Sequence, residues 1–393
     1  MLLNSRFPSR IVKRFSMPIL AAVLVLVSPL LLAQTSVSTG GIVGTVTDPS
    51  GALVPDAKVT ITNQNTGQVL NRTTNSAGIY NSGSLNPGNY KIHVEAHGFR
   101  TSELPVIVEV GAITPGNLRL EIGQGSEVVE VQASELRVNT EQATVQGVVT
   151  TKQIEELPMS RNFLDLAQLE PGVQIEDGAT FDPTKNGFSS ISIGGRAGRT
   201  ARIEVDGVDI SDENVGTTTQ NIAMSSIREF QIGQSSLDLS SELTSSGTVN
   251  VVTKSGTNSL HGDAFGNFRD KRAGGANFPG GQDNPFQRNV FGGGLGGPIL
   301  KDRLFFFLAA EHFKQDLFAP VVVNPPFVAL SGGYSSPYRE TELNGRLDYQ
   351  LPWHAARLFY KITYDSNSIV SGFGGSNFSP FKNRDNTPAH AVG

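Results

Sequence analysis

Four acidic residues, Asp206, Asp209, Asp212 and Glu213, fall within eight positions, and carboxylate oxygens are the ligands a hard cation such as calcium prefers. Their spacing lacks the calcium-loop pattern, with no glycine at the required turn, so a solvated hairpin and loop is the favoured reading. Gly292, Gly294 and Gly297 satisfy G-x-G-x-x-G, but a pyrophosphate needs a helix to follow, and Pro298 and the run LFFFL deny one. In a strand, such glycines make room for a packed neighbour or allow a sharp bend. None of the six histidines has a glutamate three residues on, the offset at which the two could share zinc, and His93 and His97 read as surface residues flanking a strand. Cysteine is absent, which removes thiol nucleophiles, disulfides and Cys-ligated zinc. With no nucleophile elbow either, an enzyme is the least favoured class, and no cofactor or metal is expected.

The elements that would position any site begin with a leader. The first 33 residues carry four basic residues (Arg6, Arg10, Lys13, Arg14) and no acid, then an apolar run from Ile19 to Leu32. That order describes a secretory signal peptide cut after Ala33. A spanning helix would need about 20 apolar residues, and this run is shorter and broken by Ser28 and Pro29. Losing four of the 31 basic residues and none of the 36 acidic ones takes the formal charge from −5 to −9, which argues against nucleic acid as a partner. The 43 glycines and 21 prolines suit a β-rich chain full of turns, and 393 residues allow two or three domains.

From Gly40 to Leu120 short alternating runs recur: Ala57, Val59 and Ile61 on one face, then Tyr90, Ile92, Val94 and Ala96 on another. Turn signals separate them at Asp48-Pro49-Ser50-Gly51, Asn65-Thr66-Gly67 and Asn86-Pro87-Gly88-Asn89, the pattern of a small β-sandwich. The sequences GIVGTVTDPSGALVPDAKVTITNQNTG and SAGIYNSGSLNPGNYKIHVEAHGF resemble the carboxypeptidase regulatory-like domain, a transthyretin-like sandwich, over roughly residues 40 to 121.

From Thr151 the texture changes. TKQIEELP and SRNFLDLAQLEPG read as two short helices, the second N-capped by Ser160 and stopped before Pro171-Gly172, with Phe163, Leu164, Ala167 and Leu169 as its buried stripe. Strands return at Ile191 to Ile193 and Ala201 to Ile210, where Asp206-Gly207 signals a tight hairpin, and at Thr248 to Thr253. The segments LPMSRNFLDLAQLEPGV, ISIGGRAGRTARIEVDGVDI and SSGTVNVVTKSGTNSLHG resemble a TonB-dependent receptor plug.

After His261 apolar residues alternate with charged ones. Leu343, Gly345, Leu347, Tyr349 and Leu351 face away from Asn344, Arg346, Asp348 and Gln350; after a Pro352-Trp353-His354 turn, Leu358, Tyr360, Ile362 and Tyr364 face away from Arg357, Lys361, Thr363 and Asp365, with only Phe359 breaking the polar face. A soluble antiparallel sheet alternates too. Export, short turns against long Gly-rich loops, and interfacial aromatics such as Trp353 and Tyr349 tip the reading to strands that face lipid outside and a polar lumen inside. FQRNVFGGGLGGPILKDRLFFFLAAEHFKQD resembles the first barrel hairpin of TonB-dependent receptors with a regulatory-like N-terminal domain, its turn from Gly297-Pro298 to Lys301-Asp302 facing the periplasm. About five spanning strands are expected, near 262–268, 286–295, 303–315, 342–351 and 356–366, where barrels of the resembling family have 22, so an incomplete barrel is expected.

The expected fold is therefore mainly β: signal peptide (1–33), sandwich (40–121), linker (122–139), α+β plug (140–258) and the start of an antiparallel transmembrane barrel (259–393). The resemblance implies energy-coupled uptake across the outer membrane. Its expected partners are a TonB-type periplasmic protein, outer-membrane lipid, and a small ligand or oligosaccharide whose binding residues the sequence leaves unknown. Glu127, Val128, Val129, Glu130 and Val131, within EVVEVQA, resemble the TonB box that adds a strand to that protein, while a last sandwich strand or a plain linker is the equal alternative. Arg196, Arg199, Arg202 and Arg228 would face an anionic ligand or, by default, the barrel wall. A surface adhesin or structural binding module without transport is the rival reading, and a passive porin a third.

Overall fold

The computed structural model describes residues 38–123, 129–130, 146–156, 162–178, 185, 187–196, 198–234, 246–270, 287–351, 356–371 and 381–392. The signal peptide, Ser160 and Trp353 lie outside the described residues.

The first domain holds β1 (Gly40–Thr47), β2 (Lys58–Asn63), β3 (Val69–Thr73), β4 (Ile79–Leu85), β5 (Gly88–Glu95), β6 (Ser102–Val108), β7 (Ile113–Pro115), β8 (Leu118–Arg119) and β9 (Val129–Glu130). One sheet runs β4-β1-β7 with β8 also on β1, and the other β3-β2-β5-β6-β9. Pairing sets Val59 opposite Val94 and Ile61 opposite Ile92. The two alternating runs of the sequence therefore line one core, closed by Ile42, Val46, Tyr80 and Leu118. Tyr80 ties β4 to the β7–β8 connection, across β1 of the same sheet, by donating to the Gly116 carbonyl at 2.6 Å.

The middle domain holds β10 (Gln146–Thr150), helix α1 (Thr151–Glu156), β11 (Val173–Asp177), β12 (Ser189–Ile193), β13 (Ala201–Val205), β14 (Val208–Asp209), β15 (Ser211–Asp212), β16 (Thr217–Thr218), β17 (Ile227–Gly233) and β18 (Gly247–Thr253). Its main sheet runs β10-β17-β18-β13-β14, with β13 and β18 parallel. The hairpin at Asp206-Gly207 forms with both residues at positive φ, 54° and 78°, the geometry a two-residue turn between twisted strands requires. The expected second helix is a 3-10 segment, Phe163–Leu169, capped by the Asn162 side chain, which accepts from the Leu164 amide; Ser160 is not its cap. Winding three residues to the turn buries Phe163, Leu164, Leu166 and Ala167. Leu169, at the end where the chain turns away, is exposed, so Leu166 takes its place in the stripe.

The last part is one antiparallel meander of six strands: β19 (His261–Asp270), β20 (Gln287–Leu300), β21 (Leu304–Val321), β22 (Gly332–Gln350), β23 (Arg357–Ser371) and β24 (Phe381–Val392). The sixth strand, FKNRDNTPAHAV, is not among the five expected from the sequence, because its run of polar residues carries no apolar stripe. The strands of the Gly-rich segment run straight from β20 into β21, with no helix between them, so the dinucleotide reading has no amide cradle.

Candidate functional site

The six-stranded sheet is built inside out. Leu308, Leu343, Leu347, Leu358 and Ile362 point to the exterior, while Glu311, Glu340, Glu342, Asn344, Arg346, Asp348, Lys361, Thr363 and Asp365 are buried. A soluble sheet would bury the leucines instead, and strands with lipid outside and a polar interior show this inversion. Among the described residues no helix is long and apolar enough to cross a membrane.

The middle domain packs against the polar face. Asp206, placed by its hairpin turn, accepts from the Thr253 amide at 2.9 Å and the Thr253 hydroxyl at 2.7 Å. It also receives Arg346 at 2.8 Å and Lys361 at 3.1 Å from the wall. Burial alone would raise its pKa, but the two cations and the Thr253 donors outweigh that and hold the carboxyl well below the usual range. Arg346 also pairs with Asp348 at 3.0 Å, and Asp348 with Arg357 at 3.1 Å. Phe359, the single break in the polar pattern, lies under the Arg346 guanidinium, 4.5 Å from its centroid.

A second contact is made by main-chain amides. Those of Asn221, Ala223 and Ser225 donate to Asp365 at 3.2 Å, Asn344 at 2.9 Å and Glu311 at 2.6 Å. The Asn221 side chain adds a 2.9 Å bond to Glu340. Three alternate amides meeting three strands form a row that no side-chain motif announces. Sequence reasoning missed it, because the donors are backbone groups.

The acidic cluster of the sequence is dispersed. Asp206 is buried among cations rather than solvated, which corrects that expectation; Asp209 accepts from Ser211, and Asp212 pairs with Lys185 at 2.8 Å. Among the described residues no group of three or more His, Asp or Glu is placed to hold a metal. The expected pairing of the arginines with the wall is corrected in two cases. Arg202 pairs inside its own domain with Glu204 and Asp209, and Arg228 packs against the sandwich, where a Cβ on Gly88 would meet its Nη2 at 2.9 Å. Arg196 and Arg199 lie at the exposed surface. The cations at the seam come from the wall and the carboxylate from the middle domain, the reverse of the expected arrangement.

Of the candidate coupling segment, Val129 and Glu130 form β9, parallel to Ser102 and Glu103 of β6. Glu127, Val128 and Val131 lie outside the described residues. His93 bridges Glu103 at 3.1 Å and Glu95 at 3.2 Å through its two ring nitrogens, a surface arrangement on β5.

Comparison with known proteins supplies the family context. Residues 41–121 match the carboxypeptidase regulatory-like domain, 138–249 the TonB-dependent receptor plug domain and 252–346 an outer membrane β-barrel domain. The TonB-dependent transporter Oar of Myxococcus xanthus is 26% identical over 287 residues, covering 68% of this chain; the chain spans 26% of that relative's length. Among solved structures, the siderophore receptor PirA from Acinetobacter baumannii aligns with a TM-score of 0.44 at 19% identity, over 57% of this chain and 32% of that one. The outer membrane transporter YddB from Escherichia coli aligns with a TM-score of 0.45 at 15% identity, over 63% and 36%. The matched domains and the inverted sheet put the chain in the outer membrane.

Proposed function

We propose that this chain, which carries in order a regulatory-like sandwich, a TonB-dependent receptor plug and outer-membrane barrel strands, belongs to a receptor that takes up a ligand by energy-coupled movement of the plug. The observation that carries this reading is the seam itself: a separately folded domain fills the polar side of a lipid-facing sheet and is held there by buried ion pairs and amide bonds. Polar contacts in a low-dielectric site are strong while made, and are exchanged for water contacts once the domain shifts. A passive pore needs no such filler, and an adhesin needs no polar interior. The work of shifting the plug would come from a TonB-type periplasmic protein, gripping an extended segment by strand addition. Glu127, Val128, Val129, Glu130 and Val131 are our proposed grip, since they precede the plug and include a strand already at a sheet edge. The cargo is a small molecule or oligosaccharide.

The test is deletion of Glu127 to Val131 in the full-length receptor, with binding of the periplasmic domain of the TonB-type protein as readout. Binding should disappear while outer-membrane insertion persists; undiminished binding would remove the segment from the coupling role.

A further inference from the structure

Three turns at one end of the sandwich reach two different partners. The turn between β6 and β7 meets the plug: the Val110 amide donates to Glu229 of β17 at 2.8 Å, and a Cβ on Gly111 would collide with the Gln231 side-chain amide. The turn between β2 and β3 meets the β18–β19 connection, which is itself bonded to the barrel's turn end. The Asn258 amide donates to the Asn65 carbonyl at 2.9 Å, and Asn258 in turn exchanges bonds of 2.6 and 2.9 Å with Asp302 in the β20–β21 turn. The turn between β4 and β5 meets both, with Asn86 accepting from Arg357 of β23 at 2.5 Å and Gly88 packed on Arg228 of β17.

We propose that the sandwich is a clasp that fastens the plug to the turn end of the barrel, and that the plug can leave its seat only after these three turns let go together. The three contacts sit on one rigid end of a domain with its own core. Because one rigid end carries all three contacts, each holds the others in register, and losing one lowers the effective concentration that keeps the rest made, so they release as a unit.

The chemistry at Glu229 supplies a release. The carboxyl is buried at the junction, and burial pushes its pKa up to about 7, with the Val110 amide and Arg228 favouring the charged form and Glu109 opposing it. The flanking strands place neutral Thr150 and Val252 opposite it, so Arg228 and Glu109 are the charged groups that face it. A carboxyl whose pKa is raised by docking holds its proton more tightly docked than free. Docking is therefore strongest below the ordinary carboxyl range, weakens as pH rises toward about 7, and is constant above that.

The clasp draws its purpose from the proposed plug movement, but its existence is tested without transport. Hydrogen exchange of the full-length protein in detergent, corrected for intrinsic rates, would be followed by mass spectrometry from about pH 5.5 to 8.5, the range that brackets the titration. Opening at Glu109–Ala112 should rise with pH and level off above about 7, by roughly tenfold or more within this window. Gly256–Ser259 should open in parallel, while β5 stays protected. Glu229→Gln should flatten the pH response at both arms. Should that variant lose protection throughout β17 and β18, it has misfolded, and the wild-type series decides alone. Arms that open independently, or protection that ignores pH in the wild type, would overturn the clasp.

Discussion

An Asp206→Asn substitution should loosen the plug by an amount set by what it strands. Asp206 has Lys361 at 3.1 Å and Arg346 at 2.8 Å. Without it Arg346 retains Asp348 at 3.0 Å, but Lys361 is left with a neutral partner, the Val205 carbonyl at 3.3 Å. Removing one member of a buried pair costs about 3–5 kcal/mol, mostly because a charge is left uncompensated. Asparagine can still accept from the Thr253 amide, so the loss should fall near the lower end of that range. Removing the stranded charge as well, in Asp206→Asn with Lys361→Met, should recover most of it, giving a coupling energy of about 2 kcal/mol or more in the double-mutant cycle. The assay is denaturant-driven release of the plug in the full-length receptor, read from exchange of the β13 and β18 amides. The sign with pH follows from the depressed pKa: this contribution is present above the ordinary carboxylate range and fails only in stronger acid, so the pair should lose nothing between neutrality and about pH 5. Additive effects, or a single-mutant cost below about 1 kcal/mol, would show that the seam is not held by this pair.

Two further substitutions probe the surroundings. Leu347→Lys places a charge on the outer face of β22 and should cost about 2–4 kcal/mol if that face meets the middle of a bilayer; refolding titrations into lipid vesicles would measure it, and a negligible cost would argue against a lipid-facing strand. Tyr80→Phe removes the 2.6 Å bond to the Gly116 carbonyl and leaves a buried acceptor unpaired, so the sandwich should lose about 1–3 kcal/mol in urea denaturation.

Much of this architecture is legible in the residues, for identifiable reasons. Period-two alternation located Val59, Ile61, Ile92 and Val94 in the sandwich core, and the same alternation with charged partners assigned Leu347 and Arg346 to opposite faces, since adjacent strand residues must point opposite ways. Asp206-Gly207 was legible as a hairpin because few residue pairs tolerate two positive φ angles. What alternation cannot reveal is who meets whom. That Asp206 is buried rather than solvated depends on Arg346 and Lys361, some 140 to 155 positions downstream. The Asn221 to Ser225 contact is made by main-chain amides that every sequence possesses. The turn signals at Asn65 and Asn86 were visible as turns, yet their role as contact points exists only once the domains are assembled.

Register gives the wall one last property. Glu311, Glu342 and Asp365 are direct cross-strand neighbours, three carboxylates abreast where like charges repel, and the plug's amides are what two of them lean on. Four residues nearer the turns, Arg346 stands beside Lys361, both facing Asp206 of the plug. Emptying the lumen would thus uncover an anionic band above a cationic one, and whatever next occupies that space, water, counter-ions or cargo, inherits two oppositely signed shelves to satisfy.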